Sequence, residues 1–163
     1  MFNGFNKSLN KTIFEQLFKE MIFTTTHTNN DAKDLTNDLL GLPFGFIESL
    51  KMGGIGSKRM IIEEVSSNIN DLLNKVSDIN YGNIELRPNG IIVMINKGLQ
   101  SFSWIIPYRQ LVIYKTNGLS IHAQGKFIRF KNNKTFKENK KFFDKMMTLK
   151  VENQAKYSHP AYE

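Results

Sequence analysis

Apolar residues return along this chain with two different periods. In "NKTIFEQLFKEMIF" Ile13, Phe14, Leu17, Phe18 and Met21 recur at spacings of three and four, with Lys11, Glu15, Lys19 and Glu20 mostly opposite. That spacing predicts an amphipathic helix. A second helix is expected after Asn30, where Asp31 and Asp34 suit the positive end of the helix dipole, Ala32, Leu35 and Leu39 face inward, and Gly41 and Pro43 end the run. The stretch 41–58 has five glycines among apolar residues and reads as a loop or a broken helix. From about Ser57 to Val76 the residues Met60, Ile61, Val65, Ile69, Leu72, Leu73 and Val76 again keep helical spacing, which predicts one long helix.

At Tyr81-Gly82 the period becomes alternating, and strands are expected over 83–87, 91–96, 102–106, 110–116, 119–123 and 126–131. The separators Pro88-Asn89-Gly90, Lys97-Gly98, Pro107, Asn117-Gly118 and Gln124-Gly125 are short, so neighbouring strands should form hairpins. "NKTFKENKKFFDKMMTLK" then predicts a closing helix, with Thr135 and Glu138 as a capping box and Phe136, Phe142, Phe143, Met146, Met147 and Leu149 as its apolar stripe. The expected fold is α+β: a helical N-terminal region, 1–80, an antiparallel meander with a C-terminal amphipathic helix, 81–151, and a frayed tail, 152–163.

Two-residue turns at Asn117-Gly118 and Gln124-Gly125 would pair Thr116 with Leu119, Tyr114 with Ile121, Val112 with Ala123, Ile121 with Ile128 and Leu119 with Phe130. Val112, Tyr114, Leu119, Ile121, Ala123, Ile128 and Phe130 then share a core face. The opposite face carries Lys115, Ser120 and Arg129 in one row and Ile113, His122 and Phe127 in the next. That outward face is basic beside aromatic, to be met either by a partner or by the helices of the same chain.

Charge sharpens the choice. Residues 1–96 hold nine Lys/Arg against eleven Asp/Glu, whereas residues 97–150 hold twelve against two, so the net +7 belongs to the second half. An anionic partner would exploit that concentration. The absence of cysteine removes disulfides, thiolate metal sites and cysteine nucleophiles. The N-terminus lacks a leader pattern, and no apolar run approaches the roughly 20 residues of a membrane span. A soluble, cytoplasmic chain is expected.

The run "SWIIPYRQLVIYKTNGLSIHAQGKFIRF" followed at once by an amphipathic helix resembles the last strands and capping helix of pleckstrin-homology-like domains, especially their bacterial versions. The likeness covers roughly 83–150 and is one of pattern. It implies a bent partial barrel of about seven strands plugged by the C-terminal helix. Six strands are counted here, and "MIFTTT" is the candidate for another. The resemblance also implies a binding or scaffolding module without catalysis, and it transfers no individual binding residue.

Candidate chemistry is sparse. His27, His122 and His159 have no metal-ligand spacing, and Asp31, Asp34 and Asp38, though on one helical face, are ordinary helix-start acids. "GGIGSKR" lacks the spacing of a phosphate loop, although a helix beginning near Ser57 could hold an anion on its free N–H groups. Ser66, Ser101 and Ser103 have no base partner in the pattern, and Glu63 and Glu64 would diverge on a helix. "QGKFIRF" misses the RNA-binding strand pattern and offers only Phe127 for stacking. The N-terminal helix could lie flat on a membrane through Phe2, Phe5, Phe14 and Phe18, but Glu15 and Glu20 oppose anionic lipid. No cofactor and no metal are expected. The expected function is protein–protein binding through Lys115, His122, Phe127, Arg129 and Lys131; the alternative is anionic lipid or nucleic acid at the same residues.

Overall fold

The computed structural model describes residues 21–24, 30–73, 75–76 and 79–158. Among them eight strands form one antiparallel sheet: β1 (Ile22–Thr24), β2 (Met60–Val65), β3 (Asn80–Arg87), β4 (Gly90–Lys97), β5 (Gln100–Pro107), β6 (Val112–Tyr114), β7 (Gly118–Ala123) and β8 (Lys126–Lys131). Their order across the sheet is β1-β5-β4-β3-β2-β8-β7-β6. Two meanders, β2 to β5 and β6 to β8, are therefore joined along the β2–β8 seam. The sheet is open, with β1 and β6 at its edges, and the arrangement is compatible with a pleckstrin-homology-like or barrel-like fold.

The helices are α1 (Asn30–Leu40), α2 (Phe46–Lys51), α3 (Lys134–Lys137) and α4 (Lys140–Ser158), with a 3-10 helix over Ser67–Leu72. The broken-helix reading of 41–58 thus resolves into the short α2 between glycine-rich ends. The apolar stripe of the N-terminal helix, Ile13 to Phe18, lies outside the described residues. Where that helix was expected to end, Ile22–Thr24 is a strand paired with Phe102–Trp104. "MIFTTT" does supply an extra strand.

The long helix expected over 57–76 is not formed. Met60–Val65 is instead an interior strand, paired on one side with β3 and on the other with β8. "MIIEEV" satisfies both periods, and the helical count passed over Ile62, which is buried opposite Phe130. Tertiary pairing decided between them, because without this strand the two meanders have no common edge. Val76, assigned to the helical stripe, is 97% exposed.

The alternation of β3, β4 and β5 places Ile84 and Leu86, Ile91, Val93 and Ile95, and Trp104 and Ile106 on one face, all buried. Leu119, Ile121, Ala123, Ile128 and Phe130 continue that core through β7 and β8, and Phe142, Phe143 and Met146 of α4 cover it. The other face of β4 and β5 buries Ile92 and Ile105 beneath α1. Where no ladder joins β5 to β6, the Gln124 side chain spans the gap. It accepts from Trp104 Nε1 at 2.9 Å and donates to the Ile105 carbonyl at 3.1 Å and to Gln110 Oε1 at 2.8 Å. Gln124 (φ 53°) and Gly125 (φ 71°) make the expected two-residue turn, between paired Ala123 and Lys126.

The closing helix starts differently from the capping-box expectation. Asn133 is the cap, its side chain accepting from the Phe136 N–H at 2.9 Å, while Glu138 pairs with Lys58 at 3.0 Å. The Lys58 hydrogen bond and charge hold the Glu138 carboxyl below its usual range. Asn139, between α3 and α4, is buried and accepts from the Lys58 N–H at 2.8 Å while donating to the Thr135 carbonyl at 3.0 Å. Asn139→Ala strands those backbone groups and is expected to cost about 1–2 kcal/mol in a urea titration; an unchanged midpoint would contradict the tether. The helix also runs past its expected end, into the stretch expected to fray, as far as Ser158, with Asn153 buried and donating to Asn89 Oδ1 at 3.0 Å.

Candidate outward sheet face

Period two along β7 sends Ser120 and His122 outward, and the β7–β8 register sets Ser120 beside Arg129 and His122 beside Phe127, as the sequence predicts. The β6 register differs from expectation by one residue: Val112 pairs with His122, Ile113 with Ile121 and Tyr114 with Ser120. Val112 and Tyr114 therefore leave the core face, at 48% and 54% exposure, and Ile113 joins it. Three consecutive apolar residues carry no alternation to fix the register. Lys115, Thr116 and Asn117 connect the strands, with Asn117 (φ 50°) and the first residue of β7, Gly118 (φ 120°), at positive φ, rather than the two-residue turn that Asn117-Gly118 signalled.

The slip makes the face more aromatic. His122 stacks on Phe127 with ring centroids 5.2 Å apart and receives the Tyr114 ring edge-on at 4.8 Å. Ser120 Oγ and His122 Nε2 lie 2.6 Å apart and share a hydrogen bond. The sequence reading passed over Ser120 among the serines, although two residues apart on a strand means one face. A hollow of about 330 Å³ beside the row is lined by Gln110, Val112, His122, Lys126 and Phe127. The imidazole is thus held by the Ser120 hydroxyl, the Tyr114 ring and the Phe127 ring.

Arg129 is not a free cation. A bulge between Ile62 and Glu64 interrupts β2 opposite it, and such a bulge puts two successive residues against one partner. Arg129 Nη2 meets Glu64 Oε2 at 2.5 Å, and its Nε lies 3.2 Å from Glu63 Oε2 without hydrogen-bond alignment. The helical reading, in which the two glutamates diverge, is overturned by the bulge; on a regular strand adjacent side chains would point apart as well. Lys131 is exposed at the end of β8, opposite Gly118, and Lys115 follows β6 in the turn. The five residues named from sequence thus split into His122 and Phe127 in contact, Arg129 in an ion-pair cluster, and two lysines at the turn end of the sheet.

Comparisons with family models, curated proteins and solved structures find no match. Among the described residues no three His, Asp or Glu side chains gather as a metal site, and no helix is long and apolar enough to cross a membrane. His27 and His159 lie outside the described residues. The glycine run before β2 does not open a helix: Ser57 pairs its backbone with Ile84, its Oγ accepts from the Ile84 N–H at 2.8 Å, and Gly56 bridges Glu85. The anion site imagined there has no helix terminus to form it. A further surface that the sequence did not single out is α2 and its approach, where Leu42, Phe46, Ile47 and Leu50 are exposed. Grouped apolar exposure of this kind marks contact surfaces more often than scattered residues do.

Proposed function

We propose that this chain is a non-catalytic binding or scaffolding module of the pleckstrin-homology-like type, acting through protein–protein contacts on the outward face of β6, β7 and β8. The observation that carries the reading is the aromatic row in which His122 stacks on Phe127 and meets Tyr114 edge-on, beside an arginine paired with Glu63 and Glu64. Aromatic groups are enriched at protein interfaces, where their area is gained with little conformational entropy lost. The same pairing commits the face's arginine to two glutamates, which weighs against anionic lipid or nucleic acid there and leaves Lys126 as the cation beside the aromatic row.

A photo-crosslinking residue in place of Phe127, in the full chain, tests the reading. It is expected to capture protein from an extract of the source cell, with capture lost in the Tyr114→Ser/His122→Ser variant and insensitive to moderate salt. Adducts only with nucleic acid or lipid, or binding that falls steeply with added salt, would sink it in favour of the anionic reading. Absence of any adduct would remove the face from consideration.

A further inference from the structure

The unbalanced lysines of the second half gather away from the aromatic face, around a cleft of about 440 Å³ between the β6–β7 turn and the start of the C-terminal helices. Lys115 comes from the turn, Lys137 from α3 and Lys140 from α4, and Asp144 is the sole carboxylate in the lining. Lys140 Nζ meets Asp144 at 2.7 Å. Three ammonium groups thus face one carboxylate, an excess of two positive charges in the lining. The Asp144 carboxyl is held below its usual range, first by the Lys140 hydrogen bond and further by the charges of Lys140 and Lys115, which reports the same positive field.

The remaining wall is mixed, with Asn117, Gly118 and Asn132 on one part and an apolar part beside them. Leu119, Phe136 and Phe143 line the cleft, with the two phenyl rings 5.1 Å apart. Its volume falls within the roughly 300–1,000 Å³ common for small-molecule sites. An excess of two positive charges matches a group of charge near −2, and a phosphate monoester carries about −1.5 to −2 at neutral pH. Lysine binds such a group as a point charge that needs no fixed fork geometry. The geometry points to a site for a phosphate monoester carried on an apolar or aromatic group, held by Lys115 and Lys137 with the organic part against Phe136 and Phe143. This site is separate from the aromatic sheet face and does not rest on the protein-binding reading.

Titration of the full chain with phenyl phosphate at low salt, followed by amide chemical shifts, tests it. Saturable shifts are expected at Asn117, Gly118 and Lys137, with weaker binding of inorganic phosphate, which lacks the ring. Lys115→Gln/Lys137→Gln should weaken phenyl phosphate by about tenfold or more, with unchanged melting because both side chains are exposed. His122→Ser/Phe127→Ser should leave it unchanged. Phosphatidylcholine vesicles doped with phosphatidic acid separate the sources: sedimentation that depends on Lys115 and Lys137 assigns the ester to a lipid headgroup, and its absence beside phenyl phosphate binding assigns a soluble ester. If neither probe binds saturably, or if the double lysine variant binds as well as the parent, the site is overturned.

Discussion

Phe130→Ala is expected to destabilise the chain by about 3–5 kcal/mol, the range for emptying a buried phenylalanine site. Phe130 is wholly buried and stands in register with Ile62 of β2 on one side and Leu119 of β7 on the other. Its ring also reaches β3, where a Cβ added to Gly82 would lie 3.3 Å from Cε1. One side chain therefore fills the joint at which the two meanders meet. Chemical denaturation measures the loss, and Phe127→Ala on the opposite face of the same strand is the control, expected to cost far less. Equal losses at 127 and 130 would contradict the assigned inner face.

That joint is also where the sequence was hardest to read. Most strands from 80 to 131 were legible because short turns bound runs that alternate or, as over 91–95, are apolar throughout, and the β7–β8 register followed from pairing Ile121 with Ile128. The strand at 60–65 was not legible, because "MIIEEV" fits a helical stripe as well as a strand once a bulge is allowed between Ile62 and Glu64. A bulge shifts the side-chain phase within the strand, so no fixed period describes Met60, Ile62 and Val65 together. The edge strand 112–114 failed for a related reason: with Val112, Ile113 and Tyr114 all apolar, burial could not choose a face. Asn139 and Gln124 were invisible as organisers, since each acts on groups far away in the sequence.

Gly90→Ala is expected to cost about 3 kcal/mol or more, at the upper end of what overpacking does. A Cβ there would stand 2.3 Å from the Ile106 carbonyl oxygen, 2.6 Å from Leu40 Cδ2 and 2.9 Å from Pro107 Cα. Two of those neighbours are backbone and cannot rotate away. The turn that would have to move also carries Asn89, whose N–H donates to the Leu40 carbonyl at 2.9 Å and whose carbonyl accepts from Tyr108 at 2.9 Å. Burial raises the Tyr108 phenol above its usual range, and its hydroxyl donates to the Arg87 carbonyl at 3.2 Å, so the same displacement would disturb a closed pocket. Gly56→Ala meets nothing within 4 Å and is the matched control, expected within about 0.5 kcal/mol of the parent. A Gly90→Ala variant as stable as Gly56→Ala would show that α1 does not close over this turn.

Of the candidate site, the pairing of His122 with Phe127 could be read from turn chemistry alone. The neutralisation of Arg129 could not, because Glu63 and Glu64 were placed on a helix until β2 was known to be a strand. Nor could the gathering of Lys115, Lys137 and Lys140, which depends on the C-terminal helices starting beside the β6–β7 turn. A charge count locates an excess in the chain but not its direction in space.

Hydroxyl-radical footprinting of the full chain, read residue by residue by mass spectrometry, tests most directly whether the outward face is open for a partner. Strong modification of Tyr114, His122 and Phe127 is expected, with Leu119 and Ile121 of β7 and Ile128 of β8 protected. Protection of Tyr114 and His122 to the level of those core residues would show that the chain covers this face itself, and the face would then be architecture rather than a binding surface.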